Sequence, residues 1–495
     1  MKSVFLYKFR NVLAISVIIV LSLTMHRTIF HRNLIGIHVW RQSQTQLNIQ
    51  NFYRVDNNIL NPRSNTYNGN ELQILRTDFP LMQWLISQFY FLFGEDIFIT
   101  RLSMFILGMF SVIGVFLLSQ LLFKSFRISC FTAFAFNFSP VFYYYTLNPI
   151  PDNLALCCMV WSLYFFVKFR LQPNVQFVIL SSLFFGLAAL VKLPYVIAGA
   201  TYAAYFMYLL NKKNADGIKK ATLFALPYLL FIIPAICWYV WVIPTWGNIP
   251  LLKGNFNYSE NAARVREILY YHFTTMFPAL LLNYASLFFF FCGIFSVFVN
   301  KYYKKALFWQ IGAGGIMAII YFIYEFLPID IIHDYYMMPF LPYLFLLVGL
   351  GAKFIVEKIK YATYILASGI IIIPILTYNT VQENWTIQRS YTNDNLFIYQ
   401  KELKEAVPTT EKCIMLNDPS SYVYPYLLNK TGYTFKEDNL PAEWIEDMIK
   451  NKKTTYMYSD SRVIDTNASY QYLFDKVLLE RGTMKVIKLT PKDKL

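Results

Sequence analysis

Several short stretches place side chains with chemical capability at the ends of apolar runs. They are HVWRQSQT (His38, Trp40, Arg41), RTDFP (Asp78), NPIPDN (Asp152), VKLP (Lys192), LYYHFTTMFP (His272) and DIIHDYY (His333, Asp334, Tyr335, Tyr336). Carboxylates and imidazoles exchange protons, and Lys and Arg hold anions. Ionisable groups beside hydrocarbon are costly, and by default they mark a functional site. Each also has a structural reading. Asp152 after Pro151 and Asp78 before Pro80 suit helix N-termini. Lys192 suits a snorkelling anchor, Trp40 and the Tyr-rich ends suit an interfacial aromatic belt, and His272 suits an amphipathic segment. His333 and Asp334 suit a mutual loop pair. The functional case therefore rests on whether these stretches share one side of a membrane.

A membrane is dictated by composition. Of 495 residues 56% are hydrophobic, with 46 Phe and 38 Tyr, and only 15% are charged, which excludes an ordinary soluble domain. A net charge of +15 would point to nucleic acid in a soluble chain. Here the basic residues form short clusters between apolar runs and set orientation instead. Runs long enough to span fall near 11–27, 101–123, 128–146, 153–168, 176–191, 195–211, 221–242, 279–299, 306–324, 336–356 and 361–378, which makes about eleven spans. The first follows Lys2, Lys8 and Arg10 without a small-residue cleavage site, and reads as an uncleaved anchor. Five of the six Cys lie in apolar runs and offer no disulfide framework, leaving Cys413 in the polar tail.

The segment 80–93 is short for a span, begins at Pro80 and ends before Gly94. With this segment lying flat as an interfacial helix, the inner loops hold Lys124/Arg127, Lys168/Arg170, Lys212/Lys213/Lys219/Lys220, Lys301/Lys304/Lys305 and Lys353/Lys358/Lys360. If it crossed, all these clusters would move outside, against the positive-inside rule. The fold expected is thus a polytopic all-α membrane protein with its N-terminus inside, comprising a transmembrane domain over 1–378 and a small extracytoplasmic α/β domain over 379–495. The transmembrane domain carries outer loops 28–100 and 243–278. In the tail EKCIMLN, TTYMYS and KVIKLT are strand-like, and NLPAEWIEDMIKN has helical spacing. On this topology all the chemically capable stretches face outward, and they point to an active or binding site on the outer face.

The order HVWRQSQT, RTDFPLMQWL with RLSMF, SPVFYYYTLNPIPDNLAL, LVKLPY and HDYYMMPFLPYL resembles the integral-membrane glycosyltransferases of the C-type fold. More narrowly, it resembles the bacterial branch of the dolichyl-phosphate-mannose protein mannosyltransferase superfamily, which includes the aminoarabinose transferases acting on lipid A. The resemblance spans roughly residues 30–345. It implies transfer of a monosaccharide from a polyprenyl-monophosphate carrier (undecaprenyl phosphate in bacteria) to a lipid, glycan or protein acceptor on the periplasmic side of a bacterial inner membrane, with no nucleotide cofactor and no nucleic-acid partner. Such a reaction needs cations for the phosphate, for which Arg41 and Lys192 are the candidates. Tyr335 and Tyr336 supply hydrogen-bond donors, with His333 and Trp40 beside them, and the Gln and Asn residues after Trp40 suit sugar hydroxyls. It also needs a base near the acceptor hydroxyl, chosen among Asp78, Asp152 and His38. His38 stands where the family usually carries an acid. Some members bind a divalent cation, for which Asp78 and His272 match in residue type and in side of the membrane, a weak signal for a metal. A glycan polymerase or ligase using a diphosphate-linked oligosaccharide is the alternative, and a transporter the lesser one, since the charges gather at one boundary rather than mid-membrane.

Overall fold

In the computed structural model, residues 2–212, 215–246, 254–257, 259–385, 393–418, 420–435, 440–491 and 493 are described. Residues 247–253 and 258, within the outer loop 243–278, lie outside them. The chain is an integral membrane protein. Among the described residues, eight helices are long and apolar enough to cross a bilayer, or nine if the bent pair Ala262–Leu281 and Tyr284–Val299, turned through 100°, is one span. Two expected runs account for the remaining difference from eleven. The run 128–146 is two shorter helices, Phe126–Asn137 and Pro140–Tyr145, because Pro140 has no amide hydrogen to continue the first and is favoured at the start of the second. The run 176–191 is the 17-residue helix Val175–Val191, short for a perpendicular span.

The chain divides into two compact units. One holds Met1–Arg32, Thr77–Phe79 and Thr100–Glu383, and the other Asn33–Arg76, Pro80–Ile99 and Asn384–Leu495. This differs from a boundary near 378, because most of the first outer loop groups with the tail. The helix Leu81–Phe93 belongs to the second unit. Its 13 residues rise about 20 Å, too little to cross the hydrocarbon core. It buries Met82, Ile86 and Tyr90 and exposes Leu85, Phe89, Leu92 and Phe93, the two-sided pattern of a helix lying in an interface.

The second unit is built on seven strands, β1 (Arg63–Asn68), β2 (Glu71–Ile74), β3 (Lys412–Leu416), β4 (Thr431–Phe435), β5 (Tyr456–Ser459), β6 (Phe474–Arg481) and β7 (Met484–Leu489), in the order β2-β1-β4-β3-β5-β7-β6. Strands β1, β4, β3 and β5 run parallel, while the β1–β2 and β6–β7 hairpins are antiparallel. Alternate side chains feed opposite faces. Cys413, Met415, Tyr458 and Val486 pack with Leu34, Val39, Tyr424 and Leu428. Ile414, Leu416, Met457 and Ile487 pack with Ile445 and Ile449 of the helix Ala442–Lys452. Both faces being covered explains why Cys413–Leu416 of the central strand β3 is continuously apolar.

In the membrane unit, helices Tyr284–Val299 and Leu341–Lys358 approach through glycine. A Cβ on Gly351 would stand 1.8 Å from the Phe289 carbonyl oxygen, and one on Gly293 2.0 Å from that of Leu347. Neither clash is with a flexible side chain. Gly351→Val is therefore expected to cost about 3 kcal/mol, the upper end of overpacking, read as a lowered thermal midpoint in detergent. An unchanged midpoint would contradict this packing.

Candidate active site

The membrane unit brings four of the sequence-chosen residues together around one ammonium group. Lys192 follows the helix Val175–Val191 in extended conformation, which turns its side chain out of the helical path. Its Nζ lies 3.0 Å from Asp78 Oδ2 and 3.9 Å from Asp152 Oδ2, and 5.1 Å from the centre of the Tyr336 ring. Lys192 is 5% exposed and Asp152 1%, so the three charges form a buried network rather than a surface pair. Buried charges of this kind persist at low dielectric only where the geometry is held firmly.

The holding is visible residue by residue. Asp152 opens the helix Asp152–Leu171, where the helix dipole favours an acid, yet its carboxylate also reaches Lys192, so the structural and functional readings coexist. The Tyr195 hydroxyl donates to the Asp152 carbonyl oxygen, 3.1 Å. Asn153 Nδ2 donates to the Tyr145 and Asn148 carbonyl oxygens at 2.6 and 3.2 Å, folding the segment before Pro151 against the helix start. Asp78 is tethered through its neighbours. Trp238 Nε1 donates to the Thr77 carbonyl oxygen at 3.1 Å, and its indole meets the Phe79 ring edge-on at 4.9 Å. These contacts explain why Thr77–Phe79 joins the membrane unit while the residues flanking it do not.

The DIIHDYY stretch supplies the next layer. Tyr336 stacks on His333, with ring centres 5.4 Å apart, and touches Tyr335 at 4.7 Å. Asp334 does not simply pair with His333. Its Oδ1 accepts the Tyr145 hydroxyl at 2.6 Å, and Tyr145 meets Tyr335 edge-on. Tyr145→Phe leaves a buried carboxylate short of a donor and is expected to cost about 1–3 kcal/mol, measured by thermal unfolding. An unaffected protein would mean the bond contributes nothing.

His272 is fully buried in the bent helix pair. Its Nδ1 pairs with the Ile268 carbonyl at 2.8 Å, its ring lies 5.0 Å from that of Phe322, and its Nε2 has no hydrogen-bond partner among the described residues. Asp78 is engaged by Lys192, and the described residues contain no group of three His, Cys, Asp or Glu side chains suited to a metal. The donor set does not fit the cation that the resemblance raised, and no step is derived through one.

His38, Trp40 and Arg41 belong to the second unit. His38 is buried directly before the helix Val39–Arg54. Trp40 packs half-buried against the first face of the sheet. Arg41 donates to Gln44, and its charge pulls down the Tyr422 phenol, which burial nevertheless holds above its ordinary pKa. The Gln and Asn residues of this helix differ from the expectation of sugar contacts. Gln46 donates to the Tyr90 hydroxyl at 2.8 Å, Asn48 to the Arg63 carbonyl at 2.9 Å, and Asn51 to Asn65 Oδ1 at 3.0 Å. They fasten β1 and the helix Leu81–Phe93.

Sequence reasoning passed over three supports. Trp238 is one. Arg101, 2% exposed, donates to Asn148 Oδ1 at 2.9 Å and to the Leu147 carbonyl at 3.2 Å, pinning the segment that ends in Asp152. An Arg at the start of a span was the available signal. Glu325, 7% exposed within the helix Ala306–Ile329, leaves Oε2 without a hydrogen-bond partner among the described residues. It lies one turn from Tyr321, whose electrostatic neighbours are Tyr336, Glu325 and Asp152.

Residues 78–241 match the family described as dolichyl-phosphate-mannose-protein mannosyltransferase, a stretch that includes Asp78, Asp152, Lys192 and Trp238. The crystal structure of ArnT from Cupriavidus metallidurans in the apo state is similar with a TM-score of 0.64 over 99% of this chain and 99% of that one, at 13% identity. That of ArnT from the same organism bound to undecaprenyl phosphate gives 0.65 over 97% and 98%, at 12% identity. At such identities the likeness is one of fold. No curated protein sequence matches the chain.

Proposed function

We propose that this chain, whose residues 78–241 match the dolichyl-phosphate-mannose-protein mannosyltransferase family and whose fold is similar to that of ArnT, is a glycosyltransferase that moves one monosaccharide from a polyprenyl-monophosphate carrier to a lipid, glycan or protein acceptor at the outer face of a bacterial inner membrane. The carrier class is supported by the undecaprenyl phosphate bound to the ArnT of similar fold. The outer face is supported by the basic clusters between spans, a bias that favours a cytoplasmic N-terminus and an outer tail.

The observation that carries the reading is Lys192 held between Asp78 and Asp152 over the Tyr336 ring. The reaction breaks the bond between the sugar's anomeric carbon and the carrier phosphate oxygen, which leaves with the bonding electrons, and forms a bond from that carbon to the acceptor oxygen. The acceptor proton must go to a base. An arriving phosphate competes with the carboxylates for the ammonium, and such an exchange frees a carboxylate as the phosphate is gripped. Asp152, the farther of the two from Lys192, is the more readily released and takes the proton in this account, while Asp78 keeps Lys192 in place. Tyr335, Tyr336 and His333 line the same neighbourhood as hydroxyl and imidazole donors. His38, Trp40 and Arg41 of the second unit are proposed for substrate contact by residue type alone.

The test is to incubate the purified full chain with a sugar-charged polyprenyl monophosphate and envelope extract, and follow release of uncharged carrier by mass spectrometry. Release dependent on acceptor supports the proposal. Inertness toward monophosphate donors, with turnover of a diphosphate-linked oligosaccharide, would replace it with the polymerase or ligase reading.

A further inference from the structure

Helices Ile97–Phe123, Tyr284–Val299, Ala306–Ile329 and Leu341–Lys358 border a groove of about 480 Å³, within the roughly 300–1,000 Å³ typical of small-molecule sites. Its walls are apolar, with Phe123, Phe290, Ile316, Leu344, Leu347 and Leu350 among them. Its charged lining is confined to one end. There Lys305 Nζ lies 4.4 Å from the centre of the Tyr302 ring, and Lys353 Nζ lies 6.0 Å from the same ring and 3.4 Å from its hydroxyl. The acid near this end is Glu357, 3.8 Å from Lys353 and 46% exposed, a solvent-screened pair of little strength. The mouth of the groove therefore carries an excess of positive charge.

This end is far from the candidate active site. Lys305 directly precedes the helix Ala306–Ile329, and Asp334, Tyr335 and Tyr336 follow its other end. The 24 residues between rise about 36 Å, the full thickness of a bilayer core. An anion held by Lys305 and Lys353 is accordingly not the phosphate that reacts beside Lys192. Basic pockets between transmembrane helices are suited to anionic headgroups, and an apolar trough leading away from one is suited to an acyl chain.

We propose that this groove is a binding site for an anionic glycerophospholipid, with its phosphate between Lys305 and Lys353 and one acyl chain lying along the helix Ala306–Ile329. Gly312 provides an independent handle, because it lines the groove and a Cβ built on it meets nothing within 4 Å. A large side chain there fills the trough and leaves both lysines and the helix packing in place.

The full chain, delipidated in detergent, is offered equal amounts of phosphatidylglycerol and phosphatidylcholine, and the retained adducts are read by native mass spectrometry. Wild type is expected to prefer phosphatidylglycerol, with a loss of about fivefold per lysine removed, so that the Lys305→Gln/Lys353→Gln variant no longer discriminates. Gly312→Phe is expected to lose the adduct of either lipid while staying monodisperse. Equal retention of both lipids by wild type would overturn the proposal. So would unchanged phosphatidylglycerol binding in either variant, or displacement of phosphatidylglycerol from wild type by a polyprenyl phosphate. The two variants alter different parts of the site, so misfolding of one leaves the other as the test.

Discussion

Lys192→Met is expected to abolish sugar transfer and to destabilise the membrane unit at once. The ammonium is the partner of two carboxylates, at 3.0 and 3.9 Å, and all three groups are largely removed from solvent. Deleting it leaves like charges facing each other at low dielectric, and breaking a buried pair from one side costs roughly 3–5 kcal/mol. On the reaction, loss of a preorganised charge aimed at the leaving phosphate costs about 10²–10³-fold in rate. The two effects separate in the double variant Lys192→Met/Asp78→Asn, which removes a charge of each sign. Its thermal midpoint should recover toward wild type, while its activity should not. If the double variant is no more stable than Lys192→Met, the electrostatic account of the cluster is wrong. Lys192→Arg keeps the charge but replaces a compact ammonium by a planar fork, and should retain stability better than activity.

Asp152→Asn is expected to lower turnover by about 10²–10⁴-fold, the range of general-base assistance, with little loss of stability. The amide keeps the shape at the start of the helix Asp152–Leu171. It also leaves Lys192 paired with Asp78 at 3.0 Å. Asp78→Asn should differ in kind. Asp78 is the closer partner of Lys192, and its loss should disturb phosphate gripping, seen chiefly as a raised KM for the carrier substrate. If Asp152→Asn turned over normally while Asp78→Asn did not, the roles assigned to the two acids would have to be exchanged.

Much of this was legible in the sequence. Asp78, Asp152 and Lys192 lie 114 residues apart from first to last, yet charge bias alone puts all three at one membrane boundary, and the structure joins them. The helix Leu81–Phe93 was legible too, as a short apolar element between Pro80 and Gly94 with 13 residues, too few to span. The second unit was legible in part: EKCIMLN, TTYMYS and KVIKLT overlap β3, β5 and β7, and NLPAEWIEDMIKN overlaps the helix Ala442–Lys452, but the part that β1 and β2 take in the sheet was not. β1 reads RSNTYN, polar and without alternation, and β2 only the four residues ELQI, and β1 joins the tail's sheet by pairing Thr66 with Gly432, a contact with no local signature. Gln46, Asn48 and Asn51 of the helix Val39–Arg54 looked like sugar ligands because amides without an apolar pattern suggest a site, whereas they bond Tyr90 and the β1 segment. Trp238 was lost among the aromatics of an apolar span. Its role depends on an indole N–H reaching a carbonyl 161 residues earlier in the chain, which periodicity does not reveal.

The most direct measurement is of the lipid held at Lys192. Wild type and Lys192→Met, purified alike in mild detergent, are extracted with solvent, and the polyprenyl lipids are quantified by mass spectrometry. The account predicts a polyprenyl monophosphate, bare or bearing a single sugar, in the wild-type extract and its loss from the variant. A carrier retained equally by both proteins, or a diphosphate-linked oligosaccharide in its place, would contradict it.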